Sequence, residues 1–87
     1  MVTTKARAIS HNPNVLGGEP IVSGTRVPVR AIVSMERAYR GDLVAVQRAL
    51  PTLSAEEIML ALRYERDHPD EIAGWMDFDA DADAYSR

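Results

Sequence analysis

Residues 17–29 decide the fold, and they read Gly17-Gly18-Glu19-Pro20-Ile21-Val22-Ser23-Gly24-Thr25-Arg26-Val27-Pro28-Val29. Two short β-branched runs flank a Ser-Gly-Thr joint, where a glycine suits a backbone position with a positive φ angle. Proline is favoured in the first turn of a helix, so Pro28 marks the start of one. The stretch therefore predicts a small β-hairpin, with strands over residues 21–22 and 27–29, that leads directly into a helix.

Three helices are predicted after this hairpin. The first covers about residues 28–40, where apolar residues recur mostly at three- and four-residue spacing, and the second covers about residues 42–49. Ser54 and Glu57 form the capping box of a third helix, which ends before Pro69 because the residue preceding a proline avoids the helical region. The pattern predicts a mainly α fold: a three-helix, homeodomain-like helix-turn-helix bundle preceded by a short β-hairpin.

The chain divides into three segments. Residues 1–8 lack periodicity and are predicted to be a flexible N-terminus, and residues 9–68 form the hairpin and helix domain. Residues 69–87 have space for one more helical turn and then alternate aspartate with apolar residues, without a core pattern of their own. Such a segment is typically disordered alone and orders on a partner. We therefore expect an extended, acidic, partner-binding tail.

Composition limits the chemistry. The 87 residues allow one small domain, and the absence of cysteine excludes disulfides and cysteine-ligated zinc. No run approaches the roughly 20 apolar residues of a membrane helix, and no apolar signal segment follows Lys5 and Arg7. We expect a soluble, cytoplasmic protein. His11 and His68 are predicted in turns at opposite ends of the pattern, so no catalytic site, metal site or cofactor is predicted.

Charge is divided unevenly along the chain. Residues 1–50 contain seven Lys and Arg against three acidic residues, whereas residues 51–87 contain three Arg against ten acidic residues. A basic body with an acidic tail indicates either two different partners or a basic partner that binds one half of the chain. A core this small also favours a homodimer or a hetero-oligomer with a partner.

Residues 12–29 resemble the signature of the domain-of-unknown-function 433 family: a proline, Gly-Gly-x-Pro, a β-branched pair, then Gly-Thr-Arg and a helix. Three further features fit: Gly41, the Leu50-Pro51-x-Leu53 turn, and Ala61-Leu62-x-Tyr64 in the third helix. The resemblance covers about residues 9–68. It implies a homeodomain-type three-helix fold, and an antitoxin whose partner is a PIN-like ribonuclease toxin.

A DNA-binding site is predicted on the basic half, formed by Thr25, Arg26, Arg30 and Arg37. Arg30 and Arg37 share a helical face and Arg26 precedes them, so the three guanidinium groups can follow one phosphate backbone of operator DNA. A structural alternative stays open, in which Thr25 and Arg26 hold the hairpin against a helix end or a carboxylate such as Glu19. The third helix is a poor groove reader because it begins with two glutamates, which repel phosphates.

The tail is the predicted toxin-binding site, formed by Trp75, Met76, Asp77, Phe78, Asp79, Asp81 and Asp83. Large apolar side chains concentrate interface energy, and the aspartates suit the basic rim of an RNA-cleaving site. Two alternatives stay open. One is a solubilising tail, and the other is a calcium loop, for which the central glycine and terminal glutamate are missing.

The residues and the resemblance together favour an antitoxin of a type II toxin-antitoxin system. This non-catalytic protein neutralises a PIN-like ribonuclease through its C-terminal segment and autoregulates by binding DNA. The alternative is a DNA-binding transcriptional regulator without a toxin partner. A third hypothesis is an interaction module with neither role, since a fold alone does not fix a function.

Overall fold

The computed structural model describes residues 8–85, with side chains described for residues 8–77. The predicted flexible N-terminus, residues 1–8, lies outside the described residues except for Ala8. The strands and α-helices in order are β1 (Ile9–His11), β2 (Pro20–Val22), α1 (Val29–Ala38), α2 (Leu43–Ala49), α3 (Ala55–Asp67) and α4 (Pro69–Tyr85), and a short 3-10 helix (Leu16–Gly18) lies between the two strands. The predicted class, mainly helical with an antiparallel strand pair in front, is confirmed. Within the described range, no helix is long and apolar enough to cross a membrane.

The strand pair differs in detail from the predicted hairpin. β1 pairs antiparallel with β2, and Ile9 lies opposite Val22. The predicted second strand, residues 27–29, contributes one isolated bridge between Ile21 and Pro28. Proline has no N–H to donate and α1 begins at the next residue, so the ladder cannot continue there. The prediction of a hairpin was therefore right, and the assignment of its second strand was wrong.

The core lies where β2 and all four helices meet, and α1 packs chiefly against α3. These elements and the loop before α3 contribute the buried apolar residues Ile21, Val22, Val29, Ile32, Val33, Val46, Leu53, Ile58, Ala61 and Ile72. Burying an aliphatic side chain of this size stabilises a fold by about 1.5–3 kcal/mol. Removing even one of these side chains therefore costs a large fraction of the free energy of unfolding of a small domain.

Local caps set the helix boundaries, as the sequence predicts. The Glu57 N–H donates to the Ser54 hydroxyl at 3.1 Å, and the Ser54 N–H donates to the Glu57 carboxylate at 2.9 Å. This reciprocal pair is the predicted capping box of α3. The Asp42 carboxylate accepts from the Ala45 N–H at 3.2 Å and caps α2 in the same way.

The acidic C-terminal segment is helical rather than extended. Pro69 is the first residue of α4, and Asp70 and Glu71 lie in the first turn, where the helix dipole stabilises carboxylates. Ile72 is 1% exposed and belongs to the core. The predicted additional helical turn after Pro69 is therefore confirmed, and the prediction of an extended tail beyond that turn is wrong, since the helix continues to Tyr85. Alternating aspartate hides the helix, because it masks the 3.6-residue period by which amphipathic helices are identified.

Candidate partner-binding site

Thr25 lies in the turn between β2 and α1. Its hydroxyl donates to the Val22 carbonyl at 2.7 Å and accepts from the Val27 N–H at 3.0 Å. Gly24 has a φ angle of +78°, which confirms the predicted positive-φ position in this joint. Because the Thr25 hydroxyl both donates and accepts within the turn, Thr25 has the structural role that was predicted as the alternative to DNA contact.

Arg30 lies in the first turn of α1 and pairs with Glu19, which immediately precedes β2. The Nε of Arg30 is 2.8 Å from Oε2 of Glu19, and the two side chains are 21% and 5% exposed. A buried carboxylate is costly unless a cation and hydrogen bonds compensate it. The pair therefore joins the strand to the helix. The sequence predicted that an arginine holds this carboxylate, but it assigned the role to Arg26.

Arg26 and Arg37 are the exposed members of the predicted DNA-binding set. The Nη2 of Arg37 lies 3.5 Å from Oε2 of Glu65 on α3, and its Nη1 donates to the sulfur of Met76 on α4 at 3.7 Å. The Arg37 side chain is nevertheless 59% exposed. The structure thus brings a predicted DNA contact, Arg37, next to a predicted toxin contact, Met76.

The predicted toxin-binding residues fall on α4. Trp75 and Met76 are half-buried, Met76 packs against the core, and Asp77 is exposed. The remaining predicted contacts are in the part of the chain whose side chains lie outside the described residues: Phe78, Asp79, Asp81 and Asp83. Met76 therefore serves at least in part to attach α4 to the body. Of the predicted toxin contacts whose side chains are described, only Asp77 is exposed.

A polar cluster fixes the beginning of α4. The Tyr64 hydroxyl donates to Oε1 of Glu71 at 2.6 Å, and Nε2 of His11 lies 3.1 Å from Oε2 of Glu71 and 3.2 Å from the Tyr64 oxygen. The His68 ring lies 4.4 Å from the Tyr64 ring, centroid to centroid. The cluster joins β1, α3 and α4. The two histidines are far apart in the sequence, as predicted, but both contact Tyr64, and His11 is the last residue of β1 rather than part of a turn.

The cluster also sets the charge states of its two acidic groups. Burial acts to raise the pKa of Glu71, but hydrogen bonds from Tyr64 and His11, with the positive charge of the histidines, lower it below its ordinary 4.5. Burial, followed by the hydrogen bond and charge of Glu71, raises the pKa of Tyr64 to about 12. At neutral pH Tyr64 is thus a neutral donor and Glu71 an ionised acceptor. In the described range, no three His, Cys, Asp or Glu side chains are grouped to hold a metal ion.

Sequence reasoning named Glu19 as a carboxylate that an arginine holds, but it missed that this arginine is Arg30. It also missed the partners that join α4 to the body. Tyr64 and Glu71 are seven residues apart, but the break at Pro69 hides their proximity. His11 and Glu71 are 60 residues apart, so no local pattern predicts their contact.

Comparisons with known proteins bear on the family. The family model described as "Protein of unknown function (DUF433)" matches residues 9–64, from β1 into α3. The chain is 38% identical over 61 residues to "Uncharacterized protein y4eO" of Sinorhizobium fredii (strain NBRC 101917 / NGR234), a match that covers 70% of this chain and 27% of that protein. The chain thus spans about a quarter of that relative's length. No solved structure matches it. Because the family model covers more than half of the chain, the protein belongs to the DUF433 family.

Proposed function

We propose that the protein is an antitoxin that neutralises a PIN-like ribonuclease through the acidic end of α4, defined as residues 77–85. One observation carries this proposal. Helix α4 is anchored at its beginning, through Ile72 and Glu71, and then continues to Tyr85 without a basic residue. The acidic end therefore follows directly after the part of the helix that the body holds.

The chemistry of the expected partner suits such a helix. A PIN-like nuclease gathers carboxylates around magnesium and surrounds them with a basic rim that holds RNA. RNA is a row of negative charges, and its binding depends on cations that neutralise phosphates. On the helix, Asp77 and Asp81 are four residues apart, as are Asp79 and Asp83, so each pair lies along one face and places two negative charges there. The acidic end therefore competes with RNA for the basic rim.

The body contributes by holding α4 before binding. Ordering a segment at the moment of binding reduces affinity, and preorganisation removes part of that cost. The Glu71 cluster and the buried Ile72 fix the first turn of α4 in the free protein. In this proposal the hairpin and the first three helices are a scaffold, and the acidic end of α4 recognises the nuclease.

The test is a charge series on the acidic end. The nuclease is first identified by capture on the full chain, and inhibition of its RNA cleavage is then measured. Replacing Asp77, Asp79, Asp81 and Asp83 by asparagine keeps their size and removes their charge, so we expect inhibition to be lost. The matched control replaces the same four residues by glutamate, which keeps the charge and should retain inhibition. Equal inhibition by the asparagine variant would contradict the proposal.

Autoregulation by DNA binding is the second part of the proposal, and it depends on Arg26 and Arg37, the exposed arginines of the predicted set. Each phosphate contact removed should reduce the slope of log affinity against log salt concentration by about one. We expect Arg26→Ala and Arg37→Ala to show this reduction on operator DNA, with Arg66→Ala as a control on α3. A regulator without a toxin partner gives the same slopes but captures no nuclease.

A further inference from the structure

Helices α2 and α3 leave an apolar groove on the surface. Two adjoining depressions form it, with volumes of about 390 and 120 Å³, and both are lined by Ala55 and Met59. Met59 is 42% exposed, and Val44 on the opposite wall is 61% exposed. These are two of the large apolar side chains that the described part of the chain exposes to solvent. Apolar side chains that line one groove are contiguous, which distinguishes them from the singly scattered apolar side chains of an ordinary surface.

Two charges of opposite sign lie beside the groove, at equal distances from its middle. Glu56 and Arg63 are both exposed and line the larger depression. They are seven residues apart on α3, two helical turns, and so lie on one face about 10 Å apart along the axis. The midpoint between them falls between Met59 and Leu60, which line the same depression. The face of α3 thus carries a negative end, an apolar middle and a positive end.

We propose that this groove is a homodimer interface, in which α3 packs antiparallel against α3 of a second copy about a two-fold axis at Met59 and Leu60. In an isologous interface each contact occurs twice, so Glu56 faces the second copy's Arg63 and Arg63 faces its Glu56. The apolar middle is buried between these ion pairs, which gives an apolar centre with a charged rim. The proposal concerns the body and does not depend on the nuclease.

A second copy suits this surface better than DNA does. A recognition helix reads bases with polar side chains and approaches phosphates with cations. Here the exposed face offers Met59 and Leu60 to the bases and the Glu56 carboxylate to the phosphates. A second copy instead supplies an arginine opposite Glu56 and a carboxylate opposite Arg63, at the spacing that the helix itself fixes.

The experiment is a charge swap on the full-length chain, with mass measured by analytical ultracentrifugation over a concentration series. Glu56→Arg and Arg63→Glu each place like charges at both rim contacts. We expect either variant to weaken the dimer by about 100-fold, about tenfold for each of the two contacts. Mixing the two variants should restore association, because each contact of the mixed dimer again joins a glutamate to an arginine. Arg40→Glu is the matched control, because Arg40 is also an exposed arginine but follows α1 and lines neither depression, so this variant should dimerise like the unmodified chain.

The restored mixture also protects the test against misfolding, because two variants that failed to fold could not rescue each other. The groove itself is tested by Met59→Lys, which should give monomers with unchanged helical circular dichroism. A wild-type chain that stays monomeric, or single variants that dimerise normally, would overturn the proposal. So would a monomer whose groove becomes protected from hydrogen exchange only when the nuclease is added, since that result assigns the groove to the nuclease.

Discussion

Two carboxylates, Glu19 and Glu71, join distant parts of this chain, and they do so in different environments. The Glu19 side chain is 5% exposed and meets one arginine at 2.8 Å. The Glu71 side chain is 34% exposed and meets a tyrosine and a histidine. The first ties the strand pair to α1, and the second ties α4 to the body.

The difference in burial indicates how much each contact stabilises the fold. Removing the partner of a buried charge leaves that charge uncompensated. When a partly exposed charge loses its partner, water can screen the charge and take the partner's place. We therefore expect the Glu19 contact to be a permanent part of the body. The Glu71 cluster should instead be a weaker attachment, one that positions α4 without determining whether the chain folds.

Replacing Arg30 by alanine should have the largest effect. The change leaves Glu19 buried without this cation, so we expect a loss of about 3 kcal/mol in the free energy of unfolding. The measurement is urea unfolding followed by circular dichroism. Arg26→Ala is the matched control, since it removes the same charge from an exposed position and should change stability by less than about 0.5 kcal/mol. Equal losses of stability in the two variants would contradict the expectation that the buried pair matters more than an exposed arginine.

Replacing Tyr64 by phenylalanine should have a smaller effect. The variant keeps the ring against His68 and removes the hydroxyl that donates to Glu71. We expect a loss of about 1 kcal/mol, since the hydrogen bond reaches a charged group but is partly exposed. The same urea titration measures it. A loss as large as that of Arg30→Ala would mean that the exposed cluster stabilises the fold as much as the buried pair.

The pH dependence of stability should give the smallest effect. The pKa of Glu71 is lower in the folded chain than its ordinary 4.5, so its stabilising contribution is present above 4.5 and is lost as pH falls through the folded value. We expect Glu71→Gln to lose less stability than the unmodified chain on acidification below pH 4.5. In a Tyr64→Phe background the same substitution should matter less. An unchanged acid dependence in Glu71→Gln would contradict this account of the cluster.

Features set by neighbouring residues were predictable from the sequence. The capping box of Ser54 and Glu57, the Asp42 cap and the break at Pro69 each depend on residues within one helical turn. Their chemistry is local, so the pattern of residue types is sufficient to locate them. The positive φ of Gly24 was predictable for the same reason.

Features that depend on long-range contacts were not predictable from the sequence. β1 and β2 pair although a loop separates them in the sequence. Residues 27–29, the predicted partner of β2, are also a β-branched run, so residue types alone could not decide between the two partners. The sequence named Arg26 as the arginine that holds Glu19, and only the fold shows that Arg30, in the first turn of α1, lies beside it. For the candidate site, the segment that carries the predicted toxin contacts was correctly seen as acidic. Its helical backbone was missed because its alternating pattern gives no amphipathic period.

In the proposed function, the body holds α4 and the acidic end of α4 binds the nuclease. The most direct measurement compares the full chain with a chain ending at Met76, which keeps Ile72 and the Glu71 cluster. Thermal unfolding and inhibition of the captured ribonuclease are measured on both. We predict an unchanged unfolding midpoint and loss of inhibition in the shortened chain. Full inhibition by the shortened, folded chain would contradict the account.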